Sequence, residues 1–455
     1  MVVDISKNGD LSCLAEYLVR LSKTTPVTFV DTVNLSSGVI FAGDRLNDEK
    51  VAMFRDENIE GDFLALLNFA QSLNVATLLK DLQAMVNADT ALISFAEKYT
   101  RWSDIANAVA YLSKNPSAMK WLTLLKDQLP WIYSQALFCA WLGATLIQDL
   151  KRSERDTCNL FFLAMMHDIG LLHLPISVVR DQSTFLISSL KLLQNHPVLS
   201  FGALKNCALD LPSDILMSVM EHHEKLDGTG YPLGKNSKKI SRYGHWLAFL
   251  DSINGIYTKR LKNSGRSMRD LIAMVQMNGH GRFGVLGKKF IECLKTLPEC
   301  HVRVVPNVLM PHLIQAVRDH NGYLSSSLTI MNAIAQEIGF HHDDNRMHGL
   351  QNAIIHINIS ITQSGIINPA YIRWLDQVEA EGLVHAYREV EDVYLMMHEV
   401  IYHVIQLRRQ IELFLDSLVD ATDAYYLRKG LERLERIVIP KLHPNLEPFW
   451  IAGVK

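Results

Sequence analysis

Six residues between positions 167 and 251 carry side chains suited to holding a metal ion: His167, Asp168, His196, His222, His223 and Asp251. Imidazole nitrogens and carboxylate oxygens suit iron, manganese or zinc, and the absence of cysteine from the set argues against a structural thiolate site. His167 and Asp168 are adjacent and close the apolar run Leu160 to Met166. Two ionisable groups at the end of a buried helix need partners, because an unpaired buried charge is costly. Adjacent side chains leave a helix end in different directions, so the Asp168 carboxylate could bridge two ions while the His167 imidazole holds one. Two ions about 3.5–4 Å apart can activate a water and steady the charge of an in-line phosphoryl displacement. Asp251 has Phe249, Leu250 and Ile253 as neighbours, so it too needs a cation or a hydrogen-bond partner.

The elements that must position these groups read as helices. The run ending at Met166 is predicted as the last turns of a buried helix, with Gly170 as its C-terminal cap. His196-Pro197 marks a helix boundary. Ser213 is expected to cap a helix through Leu216 and Val219 to Glu221-His222-His223-Glu224. The turn-forming loop Asp227-Gly228-Thr229-Gly230-Tyr231-Pro232 follows, and a helix from about Arg242 to Tyr257 carries Asp251. Upstream, 26–30 and 37–41 have strand composition, Asn47-Asp48-Glu49 starts a helix, and the remainder to Ser117 has helical spacing, as at Leu64, Leu67, Ala70, Leu73 and Ala76. Downstream, 383–417 alternates apolar and charged positions at helical period and predicts an antiparallel bundle.

The fold class expected is therefore mainly α. A small mixed α/β-to-helical N-terminal regulatory or docking region (1–125) precedes a metal-binding helical domain (126–300) and a C-terminal helical bundle (301–455). Length agrees, since 455 residues suit about three domains. The net charge of −3 supplies no basic footprint for nucleic acid. Asp4, Lys7 and Asp10 interrupt any apolar leader, and no apolar stretch reaches the ~20 residues of a spanning helix, so a cytoplasmic protein without a membrane span is expected. The six cysteines lack close-spaced pairs and read as reduced, buried thiols. His341-His342-Asp343-Asp344 with His348 reads as a solvated loop, and His398 and His403 as core or interface residues of an apolar helix.

Residues from about 130 to 300 resemble the HD-GYP domains, a branch of the HD metal-dependent phosphohydrolase superfamily. His167-Asp168-Ile169-Gly170 matches HDIG and His196-Pro197 the following HP. His222-His223-Glu224 matches HHE, the loop 227–232 matches DGxGYP, and Asp251 is the closing aspartate. Asp168 lies 28 residues before His196, and His196 lies 26 before His222, as the family would have them. The resemblance implies one or two divalent ions held by the six residues above, with Asp168 central to catalysis. It also implies hydrolysis of cyclic di-GMP to linear pGpG or GMP in bacterial second-messenger signalling. Asp227, Gly228, Gly230, Tyr231 and Pro232 would meet the substrate, and Arg260 is the candidate phosphate contact.

Two departures bear on turnover. The family's upstream histidine has no counterpart, since no histidine lies between Met1 and Met166; the interval lands near Gln135. The family's lysine after HDIG is replaced by Leu171. An alternative reading follows, in which a weakly active or inactive module binds the nucleotide or a signalling protein such as a diguanylate cyclase, as a scaffold or a homodimer.

Overall fold

The computed structural model describes residues 11–54, 62–150, 152–180, 187–207, 211–226, 228–235, 239–278, 283–298, 303–339, 345–416, 418 and 421–450. Asp227 and the cluster 341–344 lie outside the described residues. The architecture is mainly α, as the residue pattern predicts, with four short strands near the N-terminus among the described residues. Among the described residues, no helix is long and apolar enough to cross a membrane. The chain packs as two compact units, one of residues 1–223 with 240–251, the other of 224–239 with 252–455. These are units of packing, whereas the three-part division of the sequence stands as a proposal about modules.

In the first unit, β1 (Val27–Phe29) pairs antiparallel with β4 (Leu67–Phe69), and β2 (Val33–Leu35) with β3 (Gly38–Ile40). β1 and β3 agree with the strand-like stretches of the sequence, and Asn47 caps the Asp48–Ala52 helix by accepting from the Lys50 N–H. The expectation of helix around Leu64 to Ala70 is corrected. A 3-10 turn, Phe63–Leu66, leads into β4, where Leu67 and Phe69 are buried and Asn68 is exposed. The spacing of Leu64 and Leu67 fits a helix, but the alternation at 67–69 fits a pleated strand, and pairing with Val27–Phe29 decides between them.

The helices that carry the site follow from simple local rules. Ser153 and Asp156 form a reciprocal capping box at the start of Glu154–Met166, whose residues from Thr157 to Met166 are all buried. The Asp156 carboxylate also accepts from the Tyr243 hydroxyl at 2.7 Å and from Arg242 at 2.6 Å, which pins the start of the Arg242–Ile256 helix to the same corner. Pro130–Asp149 lies along Glu154–Met166, and Gly143 admits the contact, since a Cβ there would stand 3.2 Å from Leu160 Cδ2.

Two capping assignments are corrected. Gly170 does not cap the helix; it lies inside the 3-10 turn Ile169–His173 and is not among the glycines of positive φ. Its role is close approach, because a Cβ there would sit 2.2 Å from the His196 carbonyl oxygen and 2.5 Å from the Ser200 nitrogen. Ser213 likewise makes no cap: Pro212 holds that position, and the expected single helix is two short ones, Ser213–Leu216 and Ser218–Glu221.

The second unit is a helical bundle. Met310–Ile338, Asn345–Ser364, Pro369–Glu381, Tyr387–Leu415 and Ala421–Arg436 are its long members, packed with Leu271–Asn278. The Tyr387–Leu415 helix buries Glu391 and Glu399, both fully paired. Glu391 meets Arg266 at 3.5 Å and accepts from the backbone of Val304 and Val305. Glu399 bonds Arg260 and Asn278, and His403 lies 3.1 Å away. His403 is buried, as its apolar helix implied, and its Nε2 lies 3.1 Å from the Asn278 side-chain oxygen.

Candidate metal centre

Asp168, His196, His222 and His223 converge, with one ligand atom from each lying within 4.8 Å of all the others. The first three are almost wholly buried, and His223 is half-buried. Four chain segments deliver them. The Glu154–Met166 helix ends at His167 and hands Asp168 to the 3-10 turn. The His196–Asn206 helix begins with His196, and Ser218–Glu221 ends into His222 and His223. His196–Asn206 lies directly on the 3-10 turn through the close approach at Gly170, whose N–H donates to Ser200 Oγ at 2.8 Å.

The orientation of the rings is the informative feature. His167 Nδ1 lies 2.8 Å from the Ala164 carbonyl, His196 Nδ1 2.6 Å from Leu193, and His222 Nδ1 2.6 Å from Val219. In each case the acceptor is the carbonyl three residues back. A neutral imidazole has one N–H, so a Nδ1–H donated to a carbonyl leaves Nε2 as a bare lone pair. The Nε2 atoms of His196 and His222 stand 3.1 Å apart, with Asp168 Oδ1 at 3.1 and 3.5 Å from them. Three lone-pair atoms thus face one another in a buried space. Asp168 Oδ1 and His167 Nε2 are buried without a hydrogen-bond partner, although the two residues touch at 3.3 Å. Such an arrangement is repulsive unless a cation lies among the atoms. A carbonyl fixing the far nitrogen of a ligating imidazole is the usual way metal ligands are oriented.

The electrostatics agree. Burial would raise the Asp168 pKa, but the His167 charge and the contacts from His196 and His222 hold it well below the usual carboxylate range. Burial drives His222 down, and burial with the neighbouring His222 and His196 drives His223 down far. The site thus presents an anionic Asp168 carboxylate with neutral His222 and His223, the protonation states that a divalent ion requires. Burial would also lower His167, yet the adjacent Asp168 outweighs it and the pKa is pushed up to about 9. The negative charge that holds this proton is the one a divalent ion competes for.

Of the expected ligands, His167 stands against Asp168. Asp251, half-buried, stands against His223, with Oδ2 3.6 Å from Nδ1. Gln135 is half-buried on the Pro130–Asp149 helix. Leu171 is 4% exposed, with no room for a solvated ammonium.

The expected substrate residues Gly228, Gly230, Tyr231 and Pro232 belong to the second compact unit, and Asp227 lies outside the described residues. Within that unit the loop is shaped by Glu224, whose two carboxylate oxygens accept the Leu233 N–H at 2.7 Å and the Lys235 N–H at 2.8 Å. Gly228 adopts φ 82°, and the Thr229 carbonyl accepts from Gln410 at 3.2 Å. Arg260 does not offer a free guanidinium. It pairs with Glu399 and lies 4.0 Å over the Tyr402 ring.

Reading the sequence gave no role to two buried carboxylates that flank the paired histidines in the chain. Glu221 and Glu224 are 2% and 3% exposed. Their adjacency to His222 and His223 was the available signal, since buried acids beside ligands need donors.

Residues 121–285 match the family model described as HD domain. The chain is 24% identical over 180 residues to the cyclic di-GMP phosphodiesterase PA4108 of Pseudomonas aeruginosa, covering 39% of this chain and 43% of that protein. It is 27% identical over 135 residues to the cyclic di-GMP phosphodiesterase PdeB of Borreliella burgdorferi, covering 29% of this chain and 35% of that one. Against a cyclic di-GMP phosphodiesterase of Thermotoga maritima, identity is 26% over 123 residues, with 26% and 33% covered. The chain spans less than half the length of these curated relatives. The helical segment that brings the cluster together thus lies within the HD domain match and carries four side chains that could hold a metal ion.

Proposed function

We propose that this chain is a divalent-metal phosphodiesterase that hydrolyses cyclic di-GMP to pGpG or GMP in bacterial signalling, working in the cytoplasm. The opposition of the His196 and His222 Nε2 lone pairs at 3.1 Å beside Asp168, with each Nδ1 committed to a carbonyl, carries the reading. The names of the three relatives support the substrate.

Asp168, His196 and His222 would hold one ion, and His223 with Asp251 would take part in a second position. His167 orients the free side of the Asp168 carboxylate. Iron, manganese or zinc suits the nitrogen and oxygen donors. When bound, such ions supply Lewis acidity toward a phosphodiester and lower the pKa of water. The protein's own part is to keep His222 and His223 neutral, fix the rings of His167, His196 and His222 through the carbonyls of Ala164, Leu193 and Val219, and exclude bulk water from Asp168. Gly228, Gly230, Tyr231 and Pro232 are proposed to contact the nucleotide. Arg260 joins them only by exchanging Glu399 for a phosphate.

The buried Leu171 and the neutral Gln135 favour a second reading, a module that binds nucleotide or a protein partner without efficient turnover. The test is anaerobic purification, quantification of iron, manganese and zinc, and cyclic di-GMP turnover beside Asp168→Ala. Metal-dependent turnover lost in the variant supports the enzyme. Metal-free protein without turnover refutes it, and calorimetry with the nucleotide then decides the binding module.

A further inference from the structure

Glu221 directly precedes the paired histidines, and its carboxylate faces another element of the same unit. Oε2 accepts the Ser241 N–H at 2.9 Å. Ser241 precedes the Arg242–Ile256 helix, and its hydroxyl accepts the Gly244 N–H at 3.0 Å and lies 3.4 Å from Ser218 Oγ. The serine is thus the N-terminal cap of the helix that carries Asp251, and the glutamate grips the backbone of that cap. The grip is close. A Cβ on Gly244 would stand 2.4 Å from Glu221 Oε2 and 2.7 Å from Glu221 Cβ, so only glycine admits the carboxylate. An anionic acceptor at the positive end of a helix is also favourable in itself.

One end of this clamp is covalently next to His222 and His223. The other starts the helix whose Asp251 meets His223 at 3.6 Å. We propose that Glu221 is a positioning residue that fixes the distance between His223 and Asp251, and so assembles the second cation position without ligating an ion. This rests on the metal reading above. The bond requires an acceptor and not a charge, which gives the inference its signature: a glutamine oxygen can replace the carboxylate, and alanine cannot.

The test uses the full chain, loaded with manganese and with zinc in separate titrations against a competing chelator. Wild type, E221A, E221Q and G244A are compared for the number of ions bound and the affinity of each, with thermal melting alongside. The expected result is that E221A keeps the tighter ion and binds the weaker one 10–100-fold less well, the range seen when groups that orient ligands are lost. E221Q should stay within about threefold of wild type, the scatter usual for a retained hydrogen bond. G244A displaces the carboxylate without deleting it and should reproduce E221A, which keeps the inference testable if E221A does not fold. Unchanged binding in both E221A and G244A overturns the inference, as does E221Q falling as far as E221A. Wild type that binds no ion at all overturns the metal reading instead, and the two failures are thereby distinct.

Discussion

The sharpest consequence of the architecture concerns Gly170→Ala. Glycine is required there by space, because Gly170 has no positive φ to maintain. An added Cβ would meet the His196 carbonyl oxygen at 2.2 Å, the Ser200 nitrogen at 2.5 Å and Ser200 Oγ at 2.7 Å. Two of the three atoms are backbone, so no rotamer change relieves the overlap. Real Cβ contacts do not fall under 3.0 Å, so the turn and the His196–Asn206 helix must separate by about 0.8 Å. That movement pulls Asp168 from His196, whose contact is 3.1 Å. Ligand distances tolerate errors of only about 0.2 Å, so the ion held between them is lost first. Overpacking of this kind costs about 1–3 kcal/mol, which for a unit of this size is about 2–4 °C in Tm per kcal/mol. The assay is a chelator-competition titration with zinc, together with urea unfolding of the same samples. Metal affinity should fall 10–100-fold. Gly202→Ala is the control, since it lies on the same helix and its Cβ would meet nothing within 4 Å. It should bind metal as wild type does and be equal or higher in stability. Wild-type affinity in Gly170→Ala, or equal losses in both variants, refutes the reasoning.

Three further outcomes follow from buried groups. Glu399→Ala leaves Arg260 beside an empty place and takes one acceptor from each of Asn278 and His403, and should cost about 3–5 kcal/mol in urea unfolding of the helical bundle; a loss under about 1 kcal/mol would show the pair to be solvated. His173 has both ring nitrogens buried without partners, and burial lowers its pKa from 6.5 to about 4. Unfolding restores the proton affinity, so the stability due to neutral His173 is complete above pH 6.5 and is lost as pH falls from there toward 4, by about 3 kcal/mol at most. His173→Phe should flatten that part of the stability–pH curve, and an unchanged slope between pH 6.5 and 4 contradicts the assignment. Leu171→Lys, which restores the residue type of the resemblance, should destabilise by about 3 kcal/mol or more because the position is buried, and a stable variant of higher turnover would show that the turn can open to admit an ammonium.

The convergent cluster was legible in the sequence because metal chemistry restricts residue type, and Asp168, His196, His222 and His223 are suited types at fixed intervals. What orients them was not. The acceptors for the three Nδ1 atoms are the backbone carbonyls of Ala164, Leu193 and Val219, and any residue at those positions supplies the same oxygen. Gly170 was legible as a necessary glycine, but the reason lies in an element 26 residues away, which local capping rules cannot reach. The strand Leu67–Phe69 escaped notice for a similar cause. Three residues hold too little alternation to outweigh a helical spacing, and only the partner Val27–Phe29 settles it.

Arg260 shows most clearly how local reading falls short. A basic residue after the Asp251 helix reads as a phosphate contact when its charge is considered alone. In the bundle that charge is already answered by Glu399, which lies 139 positions along the chain. Burial would raise the Glu399 pKa, yet Arg260 and the bonds from His403 and Asn278 hold it well below the carboxylate range. The same Tyr387–Leu415 helix supplies Gln410 to the Thr229 carbonyl of the glycine-rich loop. Glu391, on that helix too, answers Arg266. Its buried face therefore holds the loop, the Arg260 turn and the Arg266 corner through polar groups that are costly to leave unpaired. The two features that sequence reading assigned to the substrate, the loop and Arg260, thus take their geometry from a helix it had assigned to a separate bundle.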